Sequence, residues 1–498
     1  MAAILVLFGL FAHLGPTNGA EKYSAIPSPP NILFILTDDQ GWPTLGSYGN
    51  ERVPTPHLDR LAAEGMRFTD AYVMPQCTPT RAALLTGRHS ARSGMWHVIP
   101  WYGYPWAPVS EPAFTESLSR ESFTVAKGLK TAGYTTACIG KWHLTEARDG
   151  NYVALKPESA PFFGFDEAPV PPDWSYHKQG DKGVAWLTDR ALDFIGRHRD
   201  RPWFVYLAHH TIHGPVVAPE EIVAKYRALG APEAGPHNAT YLAAIEILDT
   251  GSGRLLEGLE RLGEASETLV VFLSDNGGVD TLYDATPFTT GSGKLDRLQI
   301  GERQFSNSPL RAGKGSPYEG GIRVPCLVRW PGVVPEGAVN STPIHVVDWL
   351  PTLLEAAGAE IPPSAVVDGQ SLVPLLRRSG SLPPRPLFWH LPLYDLRWGA
   401  TPCAVVREGD WKLIEYFGDR FDRRGNYVPG AALELFNLKS DLGESLNLAD
   451  TESARAASLR KTLRAWLDSI PAEIPGPNPH RDSDRPFAET KEKQPWNR

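Results

Sequence analysis

The amino-acid sequence predicts an α/β protein. A large mixed, mostly parallel sheet flanked by helices is followed by a small α+β module with an antiparallel sheet. Three observations lead there. The middle of the chain alternates short β-branched or aromatic runs with amphipathic helical patterns, as βαβ units do. Four apolar runs stand out among them: Ile32–Leu36, Tyr134–Ile139, Trp203–Leu207 and Leu269–Leu273. Beyond a Pro- and Ser-rich stretch at Pro362–Pro386 the texture changes to hairpin-forming segments.

Taken in chain order, residues 2–12 form one apolar run, and Thr17, Asn18, Gly19 and Ala20 precede Glu21. A run of this length is too short for a helix spanning a bilayer, which needs about 20 residues. It suits the apolar region of a signal peptide cut near residue 20, the alternative being a buried N-terminal strand. No later stretch reaches membrane-spanning length, so the mature protein is expected to be soluble and secreted or periplasmic. In Asp181–His198 the residues Val184, Leu187, Ala191, Leu192 and Ile195 share one helical face. Leu242, Ile245, Leu248, Leu255, Leu259 and Leu262 do so within Tyr241–Leu262. After the Pro-rich boundary, Ala404–Val406, a turn at Glu408-Gly409-Asp410 and Trp411–Tyr416 read as an antiparallel hairpin. Leu433–Leu438 reads as a further strand, and Ser453–Ile470 as a helix with Leu459, Leu463, Trp466 and Leu467 inward. The expected organisation is a leader at 1–20, a catalytic domain at 21–376, a small domain at 377–470 and an extended Pro- and charge-rich tail at 471–498.

Composition narrows the function. With 498 residues, about 150 per domain allows two or three domains. The net charge of −8 gives no general attraction for nucleic acid or an anionic membrane, so any anion must be bound by local clustering. Gly and Pro, 46 of each, predict long shaped loops around a rigid core. Four cysteines in a chain this long are no disulfide scaffold.

The segments just after the apolar runs carry the chemistry. Ile32–Leu36 leads into Thr37-Asp38-Asp39-Gln40, and Tyr134–Ile139 into Gly140-Lys141-Trp142-His143. Trp203–Leu207 leads into a stretch with His209, His210 and His213, and Leu269–Leu273 into Ser274-Asp275-Asn276-Gly277. Ligands of open α/β sheets bind beyond the carboxyl ends of the parallel strands. If these runs are neighbours, acids, an amide, a lysine and histidines converge on one rim. Asp38, Asp39, Asp275 and Asn276 form an all-oxygen set suited to a hard cation such as Ca²⁺ or Mg²⁺. Each pair alone is more often a turn or a helix cap; two pairs at matched strand ends favour the metal.

In Cys77-Thr78-Pro79-Thr80-Arg81, Thr78 suits an N-cap, Pro79 the first helical position, and Gly87 the helix end. Cys77 then sits just ahead of a helix N-terminus, which favours negative charge, and Arg81 can point back at an anion held there. The alternative is a small buried cysteine with Arg81 forked to a surface acid.

Cys77-x-Pro79-x-Arg81, continuing to Leu85-Thr86-Gly87, resembles the signature of type I sulfatases, in which the cysteine is oxidised to Cα-formylglycine. Gly133–Thr136 through Gly140-Lys141-Trp142-His143 is similar to that family's second signature, although Thr145 stands where glycine is usual. Asn31–Gln40, His213-Gly214-Pro215, Ser274–Gly277 and Gly313-Lys314-Gly315 through Arg323 fall in the matching order. Arg407–Ile414 and Glu434–Leu438 resemble the family's small domain. The resemblance implies an alkaline-phosphatase-like fold and hydrolysis of sulfate esters, through a formylglycine gem-diol and one Ca²⁺. It implies Asp38, Asp39, Asp275, Asn276 and residue 77 as metal ligands. Arg81 and Lys141 would hold the formylglycine, and His143 would be the base that expels sulfate. His213 and Lys314 would clamp sulfate and protonate the leaving group, with His210 the fallback for His213. Read alone, Lys314 is more readily a solvated loop lysine.

The implied partners are a sulfated small-molecule or glycan substrate and, during maturation, a formylglycine-generating enzyme. In a eukaryote the location would be lysosomal. Trp96, His97, Trp101, Tyr102, Tyr104 and Trp106 crowd one loop. They suit either a platform for a sugar face or a satellite core. Trp389–Tyr394 looks like a segment that several carbohydrate sulfatases place near the pocket, and Asp173, Trp174 and His177 lie in another long insertion. Two other readings compete: a phosphonate or phosphodiester hydrolase of the same superfamily, and a non-catalytic sulfated-glycan-binding protein if Cys77 is never oxidised. Of Cys138, Cys326 and Cys403, at most two can pair, so no more than one disulfide is expected.

Overall fold

A computed structural model describes residues 29–100, 103–145, 154–171, 173, 175, 178–284, 299–377, 381–422 and 425–481. The expected leader at 1–20 lies outside the described residues, as do Trp101, Tyr102, Trp174, His177 and the tail beyond 481.

The four apolar runs become β1 (Asn31–Thr37), β3 (Thr135–Gly140), β4 (Trp203–Ala208) and β5 (Thr268–Ser274). They lie side by side and parallel in the order β5-β1-β4-β3. Every residue of β1 is buried because the sheet is covered on both faces. Ile32, Phe34 and Leu36 face a core with helices Cys77–Thr86, Val125–Thr131 and Trp349–Ala357. Leu33 and Ile35 face Pro56–Ala63, Val184–Arg197 and Ala239–Leu262.

Sequence periodicity did not reveal the other half of this eight-stranded sheet. Beyond β5 come β8 (Arg323–Arg329), β2 (Met66–Tyr72) and β10 (Ile344–His345), with β9 (Ala338–Asn340) also on β2. Among the described strands of this sheet, β8 alone runs antiparallel to its neighbours. Pro325 hides it from a pattern search, since proline weakens any strand reading. The fold accommodates the missing N–H with a register shift in β2 between Phe68 and Ala71, opposite that proline. There Thr69 O accepts from Arg323 Nε at 2.7 Å, and Tyr48 Oη accepts from Cys326 N at 2.8 Å.

A ribbon of β6 (Thr281–Asp284) and β7 (Gln299–Arg303) follows β5. The second sheet is antiparallel, in the order β11 (Leu387–Leu391), β12 (Cys403–Glu408), β13 (Trp411–Tyr416) and β16 (Ala432–Asn437). The short pair β14 (Arg420–Phe421) and β15 (Tyr427–Val428) projects between β13 and β16. Alternation divides the sheet's faces. Trp389, Val405, Ile414 and Phe436 join the core of the large sheet, while Phe388, Val406, Leu413 and Leu435 pack on helix Ser453–Asp468. In that helix Leu459, Leu463 and Leu467 are buried, whereas Trp466 is half-buried and stacks on Phe388 with centroids 4.6 Å apart. Residues 471–481 run along the 105–110 loop, where Asn478 Nδ2 donates to Pro105 O at 2.8 Å.

Candidate active site

The rim at the carboxyl ends of the parallel strands is where the chemistry gathers. Asp38 and Asp39 leave β1, Lys141 leaves β3, and Asp275 and Asn276 leave β5. Because β8 is antiparallel, the segment that enters it arrives at this same rim, which is how Lys314 reaches the site.

Cys77 opens the helix Cys77–Thr86, two residues earlier than expected. Thr78 is therefore inside the helix and not its cap; its hydroxyl donates to His143 O at 3.0 Å, tying the two signature segments together. Pro79 fits within the first turn because its absent N–H has no intrahelical acceptor there. Gly87 ends the helix in the left-handed region at φ 65°.

Cys77 Sγ lies 3.3 Å from Asp38 Oδ1, 4.0 Å from Asp39 Oδ1 and 3.4 Å from Lys314 Nζ. Lys141 Nζ donates to Asp38 Oδ2 at 2.6 Å, and Lys314 Nζ to Asp39 Oδ1 at 2.7 Å. Arg81, fully buried, forks to Asp275 Oδ2 through Nε at 3.0 Å and Nη2 at 2.7 Å. Its Nη1 donates to Lys141 O at 3.0 Å. Arg81 thus grips a buried acid of the site and not a surface acid. Asn276 Nδ2 donates to Asp39 Oδ1 at 2.7 Å.

Charge compensation sets the protonation states. Burial alone would raise the Asp38 carboxyl, but Lys141, His213, Arg81 and Lys314 outweigh it and hold it well below the carboxylate range. Burial and the neighbouring Asp38 push Asp275 up to about 6, with Arg81 opposing. Burial, Asp275 and Asp38 raise the Cys77 thiol well above its ordinary value. Burial and the Lys141 charge keep the His143 imidazole neutral; its Nε2 donates to Ile99 O at 2.8 Å, which leaves the lone pair on Nδ1. Asp39 and His143 both hold positive φ, 59° and 58°, strained backbone of the kind that collects at functional sites.

His213 Nε2 stands 3.9 Å from Asp39 Oδ2, and its Nδ1 donates to Gly214 O at 2.6 Å. Ligand atoms of Asp38, Asp39, Cys77 and His213 all lie within 4.8 Å of one another. The geometry therefore brings His213 to the carboxylates, where the sequence left His210 as a fallback. The donor set fits a hard cation by a direct sign: Asn276 Oδ1 is buried with no hydrogen-bond partner among the described residues. Asp275 Oδ1 accepts a backbone bond from Asp39 N at 3.2 Å while Oδ2 serves Arg81.

Sequence reasoning missed Lys182. It is 2% exposed, and its ammonium donates to His213 O and to Pro215 O, the latter at 2.7 Å, holding the His213 loop from below. In sequence it is one lysine before a helix, with nothing to distinguish it. The aromatic loop resolves as a satellite core: Trp96 and Tyr104 pack with Val109, Leu393 and Tyr394. Trp389 is likewise buried, donating to Val73 O at 2.8 Å. Asp173 is exposed and accepts from Ser175 N at 2.8 Å. All four cysteines are free thiols and buried. No described helix is long and apolar enough to cross a membrane.

Residues 30–359 match the family profile described as Sulfatase, and residues 313–472 match that described as N-sulphoglucosamine sulphohydrolase, C-terminal. The chain is similar to arylsulfatase A of Bos taurus, 32% identical with 89% of each chain covered. It is also similar to N-acetylgalactosamine-6-sulfatase of Homo sapiens, 33% identical over 74% of this chain and 69% of that one. Among solved structures it superimposes on Ps i-CgsB in complex with k-i-k-neocarrahexaose. The TM-score is 0.67 at 24% identity, with 90% of this chain and 94% of that one covered.

Proposed function

The chain belongs to the sulfatase family and has its alkaline-phosphatase-like fold, and from that premise we propose that it hydrolyses a sulfate ester of a carbohydrate to the alcohol and inorganic sulfate. The observation that carries this is the position of residue 77 among Asp38, Asp39 and Lys314, with Lys141 on Asp38. A sugar is favoured because one relative is an N-acetylgalactosamine-6-sulfatase and a structural neighbour holds an oligosaccharide.

Oxidised to formylglycine, residue 77 supplies a hydrated aldehyde with one hydroxyl to attack sulfur and a second whose deprotonation expels sulfate. Asp38, Asp39, Asp275 and Asn276 would hold a calcium ion, which would supply Lewis-acid chemistry at the site. The chain's own groups do the rest. Lys141 and Lys314 place two ammonium charges beside residue 77, where negative charge accumulates during S–O cleavage. Arg81 fixes Asp275 and the Lys141 carbonyl, holding the rim in register. His143, neutral with its Nδ1 lone pair, takes the proton whose loss lets sulfate depart. His213, the most open of these groups, would face the leaving alcohol and, once protonated at Nε2, would hand it a proton beside the Lys314 charge. Because Cys77 is fully buried, the formylglycine-generating enzyme must act before the chain folds. The apolar run at 2–12 is read as the export signal that brings it to that point unfolded.

Mass analysis of the peptide ending at Arg81 tests the reading, with loss of the residue 77 sulfur expected. Assays of an aryl sulfate beside an aryl phosphodiester should show the sulfate preferred. An intact thiol in active protein, or wild-type turnover by Cys77→Ala, rejects the mechanism; preference for the phosphodiester moves the chain to the phosphorus-directed branch.

A further inference from the structure

Lys314 needs an explanation of its own, because lysine is a flexible point charge and a clamp must be held still. Its ammonium has three N–H groups. Two are directed at Asp39 Oδ1, 2.7 Å away, and at Cys77 Sγ, 3.4 Å away. Toward the third side lies the indole ring of Trp398, whose centroid is 4.9 Å from Nζ. That is within the roughly 6 Å over which a cation is drawn to an aromatic face. Trp398 also presses on the backbone beside the lysine. A Cβ at Gly315 would come within 2.8 Å of Trp398 Cβ, and Gly315 holds φ at +83°, so this close approach needs glycine on both counts.

The indole is itself fixed. It ends the turn Leu396–Trp398, which Asp395 caps by accepting from Arg397 N at 3.1 Å. Asp395 and Ala400 exchange both backbone hydrogen bonds, at 3.0 and 2.9 Å, closing the loop. His97, with its side chain fully buried, meets Asp395 Oδ2 at 2.7 Å through Nε2. Its ring stacks near Trp398 at 6.3 Å with planes 25° apart. A buried pair formed from two distant loops therefore backs the ring that backs the lysine.

We propose that Trp398 is a positioning residue for the reaction: its aromatic face and its seat on Gly315 aim the Lys314 ammonium at residue 77 and at the oxyanion bound there. This rests on the sulfatase reading. It assigns a role to the Asp395–Trp398 turn of the second sheet region and to His97. It also gives a reason for the burial of His97 within its loop: the ring supports the site from behind.

The test compares Trp398→Phe with Trp398→Leu in the full-length, formylglycine-bearing protein. Phenylalanine keeps a π face, and leucine keeps apolar bulk without one. Leucine should lower kcat about tenfold with KM changed less than about threefold, and phenylalanine should stay within about threefold of wild type. Across aryl sulfates of decreasing leaving-group acidity the leucine variant should fall behind progressively, because Lys314 meets the charge that develops there. Inorganic sulfate, titrated calorimetrically, should bind about tenfold more weakly to the leucine variant only. Equal impairment of both variants, or an unmoved leaving-group dependence, overturns the inference. Wild-type protein that turns over no sulfate ester sinks the functional reading instead; the sulfate affinities then decide the inference, and equal affinities reject it. If the leucine variant fails to fold, the phenylalanine variant decides: loss of more than tenfold in its kcat rejects a role for the π face.

Discussion

Arg81 shows how much one side chain can be asked to do. Its guanidinium is fully buried, forks onto one oxygen of Asp275 and reaches the carbonyl of Lys141, joining the strand ends of β5 and β3 through a helix between them. Taking one partner from a buried pair costs about 3–5 kcal/mol because the other charge is stranded. Arg81→Met should therefore lower unfolding free energy by about that much and abolish turnover. Arg81→Lys should keep part of the stability but little activity, since a point charge cannot span both acceptors. Chemical denaturation of the two variants checks this, and a Met variant as stable as wild type would refute it. His390 gives a residue-scale pH effect. Burial brings its imidazole down to about 4, against an ordinary value near 6.5. The unfolded chain takes up this proton first as pH falls, so the stability His390 contributes is present above about 6.5 and drains away toward 4. Between pH 6 and 4.5 wild type should lose about 1.4 kcal/mol per pH unit more than His390→Gln does. Parallel pH profiles from urea melts would contradict it. Residues of this kind differ in how openly the sequence displays them. Asp38-Asp39 and Asp275-Asn276 are legible because they end apolar runs. Lys182 and Trp398 are not, because their meaning comes from neighbours tens or hundreds of positions away.

Elements with unbroken apolar patterns were legible and those with a deliberate defect were not. β1, β3, β4 and β5 are buried on both faces and read as continuous apolar runs. β8 carries Arg323, Pro325 and Arg329, so its sequence looks like a loop, and the strand exists because the register shift in β2 makes room for the proline. With β8 unseen, the placement of Lys314 rested on resemblance alone; once β8 is antiparallel, Lys314 must arrive at the rim. The helix that carries Cys77 is held at its far end by Gly87, where a Cβ would come within 3.1 Å of Leu350 Cβ in the left-handed conformation. Gly87→Ala should cost about 1–2 kcal/mol and lower activity in proportion, as the helix shifts residue 77. A thermal melt beside a kcat measurement reads both effects, and an unchanged melt would remove the argument. Lys182 holds the His213 loop through two carbonyls, and each charge-assisted bond is worth about 1.5–3 kcal/mol. Lys182→Met should reduce kcat/KM by about tenfold or more while the core remains folded, and retention of full turnover would show that the loop stands without it.

At the scale of the whole molecule, the second sheet is bound to the catalytic sheet by buried charge as well as by a shared apolar core. Lys412 of β13 donates to Glu319 at 2.9 Å and approaches Glu444 at 2.8 Å, with all three side chains inaccessible. Glu319 also accepts from Tyr72 Oη at 2.6 Å and lies 3.3 Å from Arg323, which pairs with Asp70 at 2.9 Å. Burial works against the Glu319 charge, but Lys412, Arg323 and Arg407 overcome it and bring the carboxyl down to about 2. Glu444 goes the other way, raised to about 7 by burial and by Glu319 beside it. Glu319 stands shortly after Lys314 in the chain, so the network fixes the segment on which the clamp is mounted. Apolar periodicity could suggest a separate C-terminal module but could not show how it is fastened, because the fastening is polar and long-range. Lys412→Met takes the shared ammonium from two fully buried carboxylates, leaving Glu319 to Arg323 and Glu444 without a cation among the described residues. Unfolding free energy should then fall by about 3–5 kcal/mol with a parallel loss of turnover. Removing the stranded charges should undo most of that cost, so Lys412→Met combined with Glu319→Gln and Glu444→Gln is expected to be more stable than the single variant. If the triple variant is stable but its turnover stays low, the network positions Lys314 as well as supporting the fold. A single variant that melts with the wild type would show that the apolar contacts alone join the two sheets.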